Sequence, residues 1–306
     1  MSPRDLQSAA NGDSGAANRA ALPPLVRGGS LSTTFATSSA DARRLVLGAG
    51  IGFGVADVRV FVESLRGTGY GGDVMMLIRW PGLAVGRYLK RRGVDVTRVF
   101  QTRSFSRSVH ARRYAIYLDY LKRRAGHYDQ VMMSDVRDVV FQSHPFAGID
   151  SPKCHFYLEA AGRTIGSDPT NARWVRGCFT AAEAQALAHH PISCSGITIG
   201  GTAEIVTYLE HMVAKIDAMP MRIYRTIGHG YDQGIHNYLV YLDPAISGVV
   251  EENNGHIATM ALEPRALYSL DAAARIHGPD GRLYPICHQY DRFPDIRAAV
   301  EARYAK

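Results

Sequence analysis

The segment DQVMMSDVRDVVFQSHPF, Asp129 to Phe146, sets two carboxylates, Asp135 and Asp138, at the end of an apolar run. Side chains on a straight strand alternate with period two, so residues three apart do not share a face. They converge only if the chain turns between them. Carboxylates that converge after a buried strand suit a hard divalent cation, which takes oxygen ligands and can clamp a diphosphate. The competing reading is a solvated turn in which Arg137 pairs with one of the aspartates.

Four further segments carry side chains able to meet a ligand. GAGIGFG, Gly48 to Gly54, follows a strand and precedes a helix, but its glycines lack the spacing of a dinucleotide fingerprint or of a P-loop. It reads as a loop that meets a nucleotide in some other way, or as a plain glycine turn. PISCSGITIGG, Pro191 to Gly201, places Cys194, Ser195 and Gly196 ahead of a strand and is not a nucleophile elbow. Small residues there let backbone approach a ligand closely; the bland alternative is a turn. GHGYDQGIHNYLVY, Gly228 to Tyr241, sets Asp232 beside Gln233 with Asn237 further on. This is either a helix cap at Asp232 or a hydroxyl-binding pair for a sugar. PICHQYDRFPD, Pro285 to Asp295, puts His288 directly after a short apolar run; a lone histidine is more often packed or solvated than a ligand.

These groups need a scaffold, and the hydrophobic pattern describes one. RRLVLGAG, GDVMMLIRW, VDVTRVF and DQVMMSD read as strands. Helical patterns lie between them, in ADVRVFVESLRGTG, GLAVGRYLKRRG and SVHARRYAIYLDYLKRRAGHY. Alternation of this kind implies an α/β fold with a mostly parallel sheet and helices on both faces. Ligands of such sheets bind at the carboxyl ends of the strands, where Asp135 and Asp138 fall. Beyond Phe146 the regularity weakens. HFYLEA and SGITIG read as strands, and TAAEAQALAHH and TAEIVTYLEHMVAKIDAM as helices, the latter opened by Thr202 as N-cap. The last stretch holds short elements and many turn residues.

The chain has 306 residues, with 46% hydrophobic and 21% charged, as in ordinary globular proteins. Residues 1–40 are rich in small and polar residues without periodicity and are expected to be a disordered tail. Residues 41–150 form the first half of one domain and residues 151–306 the second. The net charge of +7 is concentrated in the first half and favours an anionic partner without choosing one. The basic residues are not grouped with any RNA- or DNA-binding motif, so nucleic acid is not expected. Four scattered cysteines without metal-site spacing read as reduced, which favours the cytoplasm. No apolar run is long enough to span a membrane, which leaves a peripheral contact open. The N-terminus lacks the apolar core of a secretory signal.

Taken in order, the first strand and loop, the Arg/Tyr-rich helix, the Asp-x-x-Asp turn, the Ser-Gly segment, the Asp-Gln…Asn segment and the late histidine resemble a glycosyltransferase of the GT-A fold. The order is similar to that of the family 8 type, marked by D-x-D, N-x-G, D-Q-D-x-x-N and a C-terminal metal-binding histidine. The resemblance covers residues 43–295. It implies that Asp138, Asp135 and His288 hold a divalent metal, usually Mn²⁺, with Mg²⁺ the alternative, and that Asp135 binds metal or ribose. It implies that Leu47, Gly48, Ala49 and Gly50 meet the base and ribose, and that Arg113 reaches base or phosphates. Ser195 and Gly196 would line the donor site, and Asp232 and Gln233 would hold sugar hydroxyls near the reacting carbon.

This sequence departs from the family pattern at four places. The acidic motif has two intervening residues, Gly234 replaces a second aspartate, Ser195 lacks the preceding asparagine, and HQYDR lacks Lys-Pro-Trp. Phosphate contact then falls to Arg292. The expected function is transfer of a sugar from a nucleotide-diphosphate donor, UDP before GDP, to a glycan, lipid-linked or small-molecule acceptor. The Asp-Gln pair implies retention; in an inverting enzyme Asp232 would be the base. Residues 160–190 and 245–285 are expected to select the acceptor. Two alternatives stand beside this. A nucleotidyltransferase would need a basic residue inside the glycine loop, and GAGIGFGVAD has none before Arg59. A non-catalytic binding module on the same fold would have no use for both aspartates and His288.

Overall fold

A computed structural model describes residues 41, 43–100, 109–220, 222, 223, 227 and 230–305. The expected tail over residues 1–40 lies outside the described residues. The expected strand–helix alternation is present. It runs β1 (Arg44–Gly50), α1 (Val55–Gly67), β2 (Asp73–Arg79), α2 (Leu83–Arg91), β3 (Asp95–Val99), α3 (Val109–Arg123) and β4 (Gln130–Ser134). Then follow β5 (Val139–Phe141), β6 (Cys154–Leu158), α4 (Pro169–Cys178), α5 (Ala181–Leu187), β7 (Ser193–Gly201), α6 (Thr202–Ala218) and α7 (Tyr231–Leu242). Short strands β8 (Gly248–Glu251), β9 (Ile257–Thr259), β10 (Ser269–Leu270), β11 (Ile276–His277) and β12 (Ile286–His288) precede α8 (Pro294–Arg303).

The main sheet has seven strands in the order β3-β2-β1-β4-β7-β6-β8, and only β7 runs against the others. Both faces are covered, so β1, β2 and β4 are continuous apolar runs rather than alternating ones. Leu45, Leu47, Met75 and Leu77 pack with residues of α3, α6 and α7 on one face. Val46, Val74, Met76 and Ile78 pack with residues of α1 and α2 on the other. The period-two alternation of the strands therefore feeds two separate cores. Strands from both sequence halves lie in this one sheet. A three-stranded sheet, β5-β12-β9, stands beside it.

Three local expectations are corrected. Cys194, Ser195 and Gly196 lie inside β7 rather than in a turn ahead of it. Gly201 caps α6, and Thr202 is its first helical residue, with its hydroxyl on Tyr128 O at 2.9 Å. Gly230 caps α7, so Asp232 is inside the helix and does not cap it. Helix α4 was not expected. Its signal is Asp168-Pro169, an N-cap aspartate accepting from Asn171 N at 2.8 Å followed by proline at the first helical position. No helix among the described residues is long and apolar enough to cross a membrane.

Candidate metal centre

The two aspartates stand on either side of a passage between sheets. β4 ends at Ser134, and the Asp135 amide still donates to Gly196 O at 2.7 Å, continuing the ladder with β7. The chain then bends through Val136 and Arg137 and enters β5 at Val139. Val136 is buried and fills the space beside Gly48, where a Cβ would come within 2.7 Å of its Cγ2. β5 pairs antiparallel with β12, with His288 opposite Val139, and Gln289 N donates to Asp138 O at 2.7 Å. The bend turns two residues three apart toward one point, and the β5–β12 register brings His288 to the same point.

His288 Nε2 lies 3.6 Å from Asp135 Oδ2 and 3.9 Å from Asp138 Oδ1. The three ligand atoms lie within 4.8 Å of one another. His288 is buried, and its Nε2 has no hydrogen-bond partner. A buried polar atom left unpaired is costly, so the arrangement asks for something between the histidine and the carboxylates. Room exists because position 196 is glycine: a Cβ there would lie 2.2 Å from His288 Cε1 and 3.0 Å from Asp135 Oδ2. Two carboxylates and an imidazole are a donor set for Mn²⁺ or Mg²⁺. Bonds of about 2.1 Å place two ligands of one ion at most about 4.2 Å apart, which the two His288 distances satisfy. These residues fit a divalent ion.

The electrostatics of the cluster are polarised. Burial works against the Asp135 charge but is outweighed by the Arg113 guanidinium and His288, and the carboxyl is held below the usual range. Burial pushes Asp138 up. Burial also opposes protonation of His288, yet Cys194, Asp135 and Asp138 together pull it up. The Cys194 sulfur is 3.7 Å from His288 Nδ1. That contact was not foreseen, because Cys194 reads in the sequence as part of a small-residue turn ahead of the strand.

Arg113 is the residue expected at the base or phosphates. It is buried in α3, with Nη1 on Asp135 Oδ1 at 2.5 Å, and Nη2 on Asp232 Oδ2 at 3.2 Å and on the Tyr114 hydroxyl at 2.9 Å. Its terminal nitrogens are committed to two carboxylates and a phenol, and it ties α3 to β4 and α7. Gln233 is likewise engaged: its Oε1 accepts from Ser195 N at 2.8 Å and its Nε2 donates to Ser193 O at 2.8 Å. Asn237 repeats the grip one turn later, accepting from Ser193 N at 2.9 Å and donating to Ser193 O at 3.0 Å. The amides of α7 therefore brace the strand that carries Ser195 and Gly196. In this structure Gln233 holds backbone rather than presenting a free amide to a sugar.

The remaining expected residues divide. The Leu47 side chain is fully buried in the core cluster that includes α3 residues, so it cannot itself meet a base. Gly48 is in register with Ser134, which carries Ala49 and Gly50 alongside Asp135 at the carboxyl edge of the sheet. Arg292 is half-exposed, with Nη2 3.8 Å from Asp138 Oδ2 and Nη1 2.8 Å from Asp291 Oδ1. Arg137 pairs with Asp291 at 3.2 Å and with neither aspartate of the motif, which removes the simple surface-pair reading. Asn171 and Glu159 were not anticipated. Gln233 Nε2 reaches Asn171 Oδ1 at 3.4 Å, and burial raises the Glu159 carboxyl at the end of β6.

No family model matches the chain, and no curated protein matches it. Among solved structures, the chain is similar to a galactosyltransferase, LgtC, in complex with donor and acceptor sugar analogues. The two share 14% identity over 80% of this chain and 86% of that one, with a TM-score of 0.45. The seven-stranded, mostly parallel sheet flanked by helices is consistent with a GT-A fold.

Proposed function

We propose that this chain is a metal-dependent glycosyltransferase that moves a sugar from a nucleotide-diphosphate donor, UDP-linked, to an acceptor, with retention. The observation that carries the reading is the Asp135, Asp138 and His288 group, with Asp138 and His288 buried and His288 Nε2 unpaired, set at the carboxyl edge of a mostly parallel sheet. Asp135, Asp138 and His288 would hold Mn²⁺ or Mg²⁺, which supplies positive charge against a departing diphosphate. Arg292 adds a fixed positive charge beside Asp138 and would take a phosphate oxygen. Ala49, Gly50 and the turn after them would meet the nucleoside. Gly196 gives the centre its room, Ser195 beside it would line the donor site, and Gln233 and Asn237 brace the strand that carries them. Asp232 shares the Arg113 guanidinium with Asp135, so it lies one side chain away from the metal ligands and would hold a sugar hydroxyl in this reading.

A binding module without transfer is the second reading. It is favoured by one observation, the commitment of Asp232 to Arg113 and of Gln233 to β7. Thermal unfolding with UDP or GDP, each with Mn²⁺ or with EDTA, tests the site. A ligand that binds only the native state raises the midpoint by mass action. The expected result is a Mn²⁺-dependent rise with UDP that Asp138→Ala abolishes. No rise with either nucleotide, or an undiminished rise in Asp138→Ala, removes the metal-site reading. Metal-dependent hydrolysis of UDP-sugars then separates transferase from binding module.

A further inference from the structure

The described residues include three exposed large hydrophobic side chains, Trp80 at 49%, Leu83 at 63% and Phe100 at 58% exposure. All three belong to one corner of the molecule. Trp80 follows β2, Leu83 opens α2, and Phe100 follows β3. The Trp80 and Phe100 rings stack with centroids 4.6 Å apart, and Trp80 N donates to Val99 O at 3.0 Å. This is a held aromatic platform rather than a frayed end. Gly82 makes the turn that presents it, at φ +45°, with no room for a Cβ against Arg79 O and Ile78.

The charge around the platform has one sign. From Arg79 to Phe100 the sequence has a single acid, Asp95, against six lysines and arginines. Arg87 and Lys90 fall four and seven residues after Leu83, on the same exposed stripe of α2, while Val85, Tyr88 and Leu89 face inward. Arg79, Arg87, Lys90 and Arg91 are exposed and form no ion pair among the described residues. Asp95 is engaged by Tyr120 and Arg124. Aromatic rings and a leucine standing beside unneutralised cations match the two layers of an anionic bilayer surface. The rings suit the interface below the headgroups, and the cations suit the negative potential above it.

We propose that this corner, Trp80, Leu83 and Phe100 with Arg87, Lys90 and Arg91, docks the protein on an anionic lipid surface. The proposal does not depend on the glycosyltransferase reading, since it rests on the exposed side chains and their charge. The corner lies at the carboxyl ends of β2 and β3, on the same edge of the sheet as Asp135, so docking sets that edge next to the bilayer.

The test is co-sedimentation of the full chain with vesicles of mixed phosphatidylcholine and phosphatidylglycerol, against phosphatidylcholine alone. Binding is expected only to the anionic vesicles and is expected to weaken as salt rises. Arg87→Glu with Lys90→Glu should lower vesicle affinity at least about tenfold. Trp80→Ser with Leu83→Ser and Phe100→Ser should abolish binding while the chain stays folded, read by an unchanged far-UV circular dichroism spectrum and a retained cooperative thermal transition. A blue shift of tryptophan emission on anionic vesicles should be absent in Trp80→Phe. Absence of binding to anionic vesicles overturns the proposal, as does binding that survives the triple substitution. Dimerisation that Leu83→Ser abolishes, without vesicle binding, would make the corner a self-interface. Quenching of Trp80 by UDP without vesicle binding would give it to a nucleobase. Either result overturns the proposal.

Discussion

At the scale of single residues, Arg113 decides more than its position in a helix suggests. It is buried with two carboxylates on one guanidinium, Asp135 and Asp232, and the Asp232 partner is itself buried. Removing the cation strands the buried Asp232 charge. Breaking a buried pair by deleting one member costs about 3–5 kcal/mol, because the remaining charge has no compensation. Arg113→Ala should therefore lose stability on that order in urea denaturation. Arg113→Lys should recover only part of the loss, since an ammonium cannot span two acceptors with the fixed fork of a guanidinium. A loss below about 1 kcal/mol for Arg113→Ala would mean that the network does not hold α3, β4 and α7 together.

At the scale of elements, the site depends on how α7 grips β7. The Asn237 side chain makes three hydrogen bonds, two to Ser193 and one to Gln233 O at 2.9 Å, all buried. Asn237→Ala leaves the Ser193 amide without this partner, at a cost of about 1–3 kcal/mol for an unpaired buried polar group. The expected outcome is a drop of that size in unfolding free energy together with a weaker Mn²⁺-dependent thermal shift. The second effect follows because β7 carries Gly196 against His288. An unchanged metal response in a destabilised variant would show that α7 holds the fold without setting the centre. The β5–β12 pair is the other element-level determinant. Its register puts His288 opposite Val139, and no local pattern in either strand encodes that pairing.

At the scale of the whole molecule, buried neutral histidines set the acid limit. His236 is buried between β7, α6 and α7, bonded to Ser193 Oγ and the Tyr208 hydroxyl, each at 2.8 Å. Burial lowers its pKa to about 3, and burial lowers that of His256 to about 4. An unfolded histidine titrates near about 6.5, so below that pH the unfolded chain takes up protons that the native state refuses. Stability is then complete above about pH 6.5 and falls as the pH drops toward the native values. His288, with a raised pKa, acts in the opposite direction, so a difference measurement is needed. Between pH 7 and pH 4, wild type should lose about 3 kcal/mol more than His236→Gln in denaturant unfolding. Parallel curves would show that His236 is protonated in the native state.

The amino-acid order by itself determined what is local. Apolar runs and helical spacing marked the alternation from β1 to β4, because burial on both faces of a parallel sheet writes itself into consecutive residues. The positions of Asp135 and Asp138 after a buried strand suggested a cation site or a solvated turn, and His288 joined them only through the family resemblance. The need for a turn between the two aspartates also followed from strand periodicity alone. Only the tertiary structure decided which partners those groups meet. The antiparallel course of β7, the pairing of β12 with β5, the engagement of Arg113 with two acids and the turning of Gln233 onto backbone all join residues far apart in sequence. A side chain's type states what it can bond. Which bond it makes is settled by sheet register and packing, and neither leaves a periodic trace in the chain.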